Sequence, residues 1–160
     1  MPPPTDQQLI DFVIRETRML DQQRFAEWVD LFTEDGHYWM PLEWGQTDPR
    51  LTTSLMYEDR LLLQVRAERL RGNRTYSQKP KSRSHHLLQT PQVDHRDDAA
   101  MHYVTWTATH YVETRLDEQN LYAAWLTHHL TVIDGAIRIR LKRVDLVNCD
   151  AAFGNIQLFI

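Results

Sequence analysis

Two adjacent histidine pairs, His85-His86 and His128-His129, are the first residues in this chain with the chemistry to bind a metal or move a proton. Each pair lies in a stretch that reads as β-strand, and neighbours on a strand point to opposite faces. Neither pair can therefore close on one metal from one side. The sequence holds no HxH, no HExxH and no two-histidine-one-carboxylate spacing. One histidine of each pair is expected in the core, the other at a surface or interface. His110 and His128 form a sharper combination. If they meet on a concave face they suit general acid and base, with Asp35, Tyr38 or Tyr111 completing the site. The alternative is that they are buried histidines hydrogen-bonded to tyrosine hydroxyls and backbone.

Other reactive arrangements find no support. There is no GxSxG, no GxGxxG and no phosphate loop among only five glycines. Cys149 is the single cysteine, which excludes an internal disulfide and a cysteine-rich cluster and reads as a structural thiol.

The elements that must position these residues change character part-way along. Thr5 and Gln8 form a capping-box pair, followed by Ile10, Val13, Ile14, Thr17 and Leu20 at helical spacing. Asp21 is placed to cap a second helix carrying Phe25, Trp28, Val29 and Phe32, stopped by the Glu34-Asp35-Gly36 turn signal. A short strand at 37–42, a loop at 43–54 and a third helix over 57–71 follow. From Ser82 the period becomes two, predicting strands at 82–95, 101–116, 121–133 and 136–148. Asp134-Gly135 is a two-residue hairpin turn pairing Ile133 with Ala136. It puts Leu126, His128, Leu130 and Val132 on one face with Ile137, Ile139 and Leu141, and leaves Arg138, Arg140 and Lys142 on the other. A three-residue connection ending at a left-handed Asn120 sets Val104, Trp106, Ala108, His110 and Val112 on the apolar face, with His110 across from His128. The expected fold class is α+β: N-terminal helices packed on a long curved antiparallel sheet forming a cone-like half barrel, in a single domain over 1–160. That layout serves enzymes and purely structural subunits alike.

Bulk properties narrow the partners. A net charge of −4 with no basic block argues against nucleic acid, and the apolar runs are too short to span a bilayer. The opening MPPPTDQQ lacks a basic region followed by an apolar one, so the cytoplasm is the expected compartment. Fifteen of the eighteen basic residues are arginines, and there are five tryptophans; both suit protein–protein contact, although GC-rich coding explains the arginines equally well.

Four segments in order, FAEWVDLFTEDGHYWMPL, SLMYEDRLLLQVRAERLR, YSQKPKSRSHHLLQTPQV and LKRVDLVNCDAAFGNIQLFI, resemble the small (β) subunit of aromatic-ring-hydroxylating dioxygenases over residues 9–160. The nearest likeness is to subunits of enzymes acting on benzoate-like acids. The resemblance implies the cone fold shared with nuclear transport factor 2, ketosteroid isomerase and scytalone dehydratase. It also implies a chain without metal or cofactor, the Rieske [2Fe-2S] cluster and mononuclear iron belonging to a catalytic α subunit. The implied role is structural: self-association as a trimer within an α3β3 assembly. Trp39, Tyr76, Lys79, Arg83, His85, Arg143 and Phe159 are the expected interface residues, chosen on type and place. The competing expectation is a free-standing isomerase or dehydratase of the same fold that uses His110, His128 and Asp35.

Overall fold

The computed structural model describes residues 2–51, 53–72, 82–149 and 156–160. Helix α1 (Asp6–Asp21) starts at the anticipated capping box: the Thr5 hydroxyl accepts from the Gln8 amide at 3.2 Å, and the Gln8 side chain accepts from the Thr5 amide at 2.8 Å. Its buried face is Leu9, Phe12, Val13, Glu16, Thr17 and Leu20, while Ile14 is 44% exposed. The apolar stripe is thus rotated from the expected one and includes a carboxylate. Asp21 does not cap α2 (Phe25–Val29); it is the last residue of α1 and is engaged elsewhere.

Among the described residues, seven strands form one open, mixed sheet: β1 (Phe32–Pro41), β2 (Ser54–Asp59), β3 (Ser84–Leu88), β4 (Gln92–Asp97), β5 (His102–Arg115), β6 (Glu118–Ile133) and β7 (Ala136–Leu146). The order is β2-β1-β7-β6-β5-β3, with β4 also pairing β5. Helix α3 (Arg60–Gly72) follows β2 directly. The sheet is not wholly antiparallel, because β1 runs parallel to β7. The turn signal at Glu34-Asp35-Gly36 lies inside β1, and the start of the expected third helix is strand, pairing with β1 through Trp39 and Tyr57. The long strand expected over 82–95 is two strands broken at Gln89–Pro91, where proline supplies no amide and restricts the residue before it.

Two departures in register decide which side chains enter the core. The turn between β5 and β6 is Leu116-Asp117, with Leu116 at φ +55°, and Arg115 pairs with Glu118. His110 consequently lies across from Ala123, not His128, and His128 pairs with Thr105. The shift from 128 to 123 is odd, so every side chain of β5 changes face. The inward row is Tyr103, Thr105, Thr107, Thr109, Tyr111 and Glu113. In the β6–β7 hairpin, Asp134 and Gly135 both have positive φ and Ile133 pairs with Ala136, as the sequence predicts. A bulge then intervenes: Leu130 pairs with Ile139 but His129 with Leu141, leaving Arg140 as the extra residue. Beyond it the faces of β7 exchange, and Lys142 points inward beside His128.

Between helices and sheet, the core gathers Trp28, Phe32, Tyr38, Leu126, Leu130, Ile139 and Val144 with the last residues Leu158, Phe159 and Ile160. Gly36 permits the close approach of β1 to β7 at the irregularity between Phe32 and His37: a Cβ there would stand 2.9 Å from the Ile139 carbonyl oxygen and 3.0 Å from that of Thr33. Both obstacles are backbone and cannot rotate away. Gly36→Ala is expected to lower unfolding free energy by about 1–3 kcal/mol, read as a reduced urea midpoint with unchanged slope.

Candidate functional site

The strongest concentration of chemistry is sealed inside the cone. Glu16 projects from α1 and is fully buried. Its Oε1 accepts from Lys142 Nζ at 2.5 Å and from Trp28 Nε1 at 2.7 Å, while Oε2 meets His128 Nε2 at 3.3 Å. The Lys142 ammonium also lies 5.7 Å from the Trp28 ring centroid, a cation–π approach. Burial alone would push the Glu16 carboxyl up; the Lys142 charge and the His128 contact overcome it and hold the group far below the usual carboxylate range. Burial dominates at His128 and lowers its pKa despite Glu16, so the ring is neutral at pH 7. A fully buried, compensated charge has the character of a structural polar core.

A second buried carboxylate ties down the end of the sequence. Glu113 accepts from the Tyr111 hydroxyl at 2.6 Å and from the amides of Gln157 and Leu158 at 2.8 Å each. The Tyr38 hydroxyl accepts from the Ile160 amide at 3.3 Å and faces its carbonyl at 3.4 Å. Phe159 is thereby seated 4.5 Å from the Trp28 ring and near Phe25 and Tyr38, with the Arg66 guanidinium 5.4 Å from its centroid. Burial raises the pKa of both Tyr38 and Tyr111, so neither is a poised acid.

His86, the inward member of its pair, donates its amide to Asp21 Oδ2 at 2.8 Å, and its Nδ1 lies 2.6 Å from Asp21 Oδ1. Ser84 adds a third bond to that carboxylate at 3.0 Å. Burial would raise Asp21, but the His86 contacts outweigh it and lower the pKa. The arrangement fastens β3 to the end of α1. The outward member, His85, is exposed, and His129 stacks on His102 on the outer sheet face with 3.2 Å between ring nitrogens. Both pairs therefore divide as the strand geometry predicts.

The acid–base constellation expected from His110, His128 and Asp35 does not form. His110 is exposed on the outer face, His128 is sealed in the core, and Asp35 is exposed on β1, where the Thr33 hydroxyl bonds it at 2.8 Å. Of the expected interface residues, Trp39 is 3% exposed, bonds Ser54 at 2.9 Å and carries the Arg143 guanidinium 4.4 Å from its ring centroid. Arg143 is forked onto Asp145. Arg83 is exposed. Phe159 is only 1% exposed and belongs to the core of this chain; the closing aromatic cluster takes up the surface that a neighbour was expected to cover. Tyr76 and Lys79 lie outside the described residues. Sequence reasoning missed Glu16, Asp21, Glu113 and Lys142. The only available signal was Glu16's place between Val13 and Leu20 on the buried side of α1.

Among the described residues, no three His, Cys, Asp or Glu side chains gather as a metal site, and no helix is long and apolar enough to cross a membrane. Comparison with known proteins adds identity to this geometry. The family described as "ring hydroxylating beta subunit" matches residues 15–151. The chain belongs to that family. The small subunit of 2-halobenzoate 1,2-dioxygenase from Burkholderia cepacia is 29% identical over 147 residues, covering 88% of this chain and 87% of the relative. The small oxygenase component of the p-cumate 2,3-dioxygenase system of Pseudomonas putida is 28% identical, covering 87% and 77%. The solved β subunit of benzoate 1,2-dioxygenase from Burkholderia mallei superposes with a TM-score of 0.79 at 22% identity, over 99% of this chain and all of that one. This β subunit is thus a component of an aromatic-ring-hydroxylating dioxygenase with the same cone fold, and the free-standing isomerase reading loses its basis with the separation of His110 from His128.

Two outcomes test the buried cluster of the β subunit. Lys142→Met strands the Glu16 carboxylate and is expected to destabilise by about 3–5 kcal/mol in urea titration, largely restored by adding Glu16→Leu. The pH dependence has one direction. Glu16 and Asp21 have folded pKa values below their unfolded ones, so their contribution is present above the carboxylate range and lost as pH falls through it. His128 and His129 are also depressed in the folded state, so the unfolded chain takes up protons first below about 6.5. Unfolding free energy should fall steadily from pH 7 to pH 4; a maximum at acid pH contradicts this assignment.

Proposed function

We propose that this chain is the non-catalytic small subunit of a Rieske non-heme iron oxygenase that dihydroxylates a benzoate-like aromatic acid. The observation that carries the proposal is the match of residues 15–151 to the ring hydroxylating beta subunit family, and the packing of the interior supports it. Trp28, Tyr38 and Phe159 pack together in the core, and the buried Glu16 carboxylate is met by both Lys142 and His128. The substrate class follows from the names of the relatives, which are halobenzoate, benzoate and toluate dioxygenase subunits.

The rigid sheet serves as a platform. Its outer face carries half-buried Trp106 and Trp125, the latter 5.2 Å from the Trp44 ring. Aromatic side chains and arginine forks of this kind anchor subunit contacts. In this reading Arg143 on that face, Arg83 and His85 at the β3 edge, and Tyr76 and Lys79 in the segment before it meet neighbouring subunits, while the buried Trp39 supports the Arg143 guanidinium. Three copies form a trimer that supports three α subunits in an α3β3 assembly in the cytoplasm. The α subunits hold the [2Fe-2S] cluster and the mononuclear iron.

Gentle purification from the native cells, with complex mass, iron and acid-labile sulfide measured together, tests this. The expected result is a complex many times 19.0 kDa in which iron and sulfide follow a co-purifying larger chain. A small, iron-free oligomer of this chain alone overturns the proposal.

A further inference from the structure

Thr105 and His128 are directly paired across β5 and β6, Thr107 stands two residues further along the same inward row, and all three are fully enclosed. Three polar atoms on this patch, Thr105 Oγ1, Thr107 Oγ1 and His128 Nδ1, have no hydrogen-bond partner among the described residues. The other ring nitrogen of His128 is committed to Glu16. A carboxylate only accepts, so Nε2 carries the hydrogen, and Nδ1 of the neutral ring is a bare acceptor requiring a donor.

Protein interiors leave few such atoms unpaired. Opposed residues on antiparallel strands have Cβ atoms about 4.5–5.5 Å apart. Thr105 and His128 are such an opposed pair, and their unpaired polar atoms do not bond each other. A buried water typically makes about three hydrogen bonds, and three unpaired groups lie at neighbouring inward positions of β5 and β6.

We propose that an ordered water molecule occupies the interior of the cone between Thr105, Thr107 and His128. It donates to His128 Nδ1 and shares its remaining bonds with the two hydroxyls. Its role is to fix the tautomer of His128. With Nδ1 satisfied, Nε2 presents its hydrogen to Glu16, and the buried carboxylate receives donors from His128, Lys142 and Trp28 together. The polar core is then closed on every side.

Valine has nearly the shape of threonine without the hydroxyl, so the sign of its effect is diagnostic. If Thr105 and Thr107 hold the water, Thr105→Val and Thr107→Val each lower Tm, by about 3–6 °C. If the hydroxyls are merely unpaired, removing them leaves Tm unchanged or raises it. A crystal structure of the purified wild-type protein gives a second reading that needs no variant. A water peak within hydrogen-bond distance of His128 Nδ1 and a threonine hydroxyl supports the site. An empty position there, or valine variants at or above the wild-type Tm, overturns it.

Discussion

The contact between Glu16 and Lys142 joins the first helix to the last strand across 126 residues of sequence, and the interior is organised around it. A carboxylate cannot be enclosed without donors, so each element nearby supplies one. Trp28 comes from α2, His128 from β6 and Lys142 from β7. The bulge at Arg140 is what delivers the lysine, for without it Lys142 would project from the outer face. Replacing such a cluster with apolar residues is often neutral for stability. Its value here lies in selection: only one register of β6 against β7 and one rotation of α1 place all the partners together.

The second carboxylate, Glu113, does the same for segment 156–160. Its two oxygens accept consecutive amides, fixing the direction of an otherwise apolar stretch and allowing Phe159 to enter the aromatic cluster. Segment 156–160 is therefore part of the core of its own chain.

Much of this was legible in the residues. The capping box at Thr5, the switch from helical to alternating period at Ser82, the Asp134-Gly135 hairpin and the division of each histidine pair all follow from local chemistry. What escaped has local causes too. Leu116 occupies a left-handed position that leucine seldom adopts, so nothing marked the true turn, and a shift in register carried His110 to the wrong face. Threonines fill the inward row of β5 while Val104, Trp106 and Ala108 face outward, the reverse of the usual pattern. The bulge at Arg140 left no trace in composition. Glu16 and Lys142 look like surface residues until each is seen to be the other's partner, a relation between distant positions. The family resemblance rested on four motifs in order and did not depend on any of these details.

The span of the closing contacts also bears on how the molecule is made. Lys142 reaches back to Glu16, and Ile160 to Tyr38, over more than 120 residues, so neither end of the core can settle early. Topologies dominated by such distant pairings fold slowly. While the chain is being synthesised, α1, α2 and β1 must wait with Trp28, Phe32 and Tyr38 uncovered, a condition that favours aggregation. Production of this chain should accordingly be limited less by the stability of the finished fold than by protection of its unfinished first third.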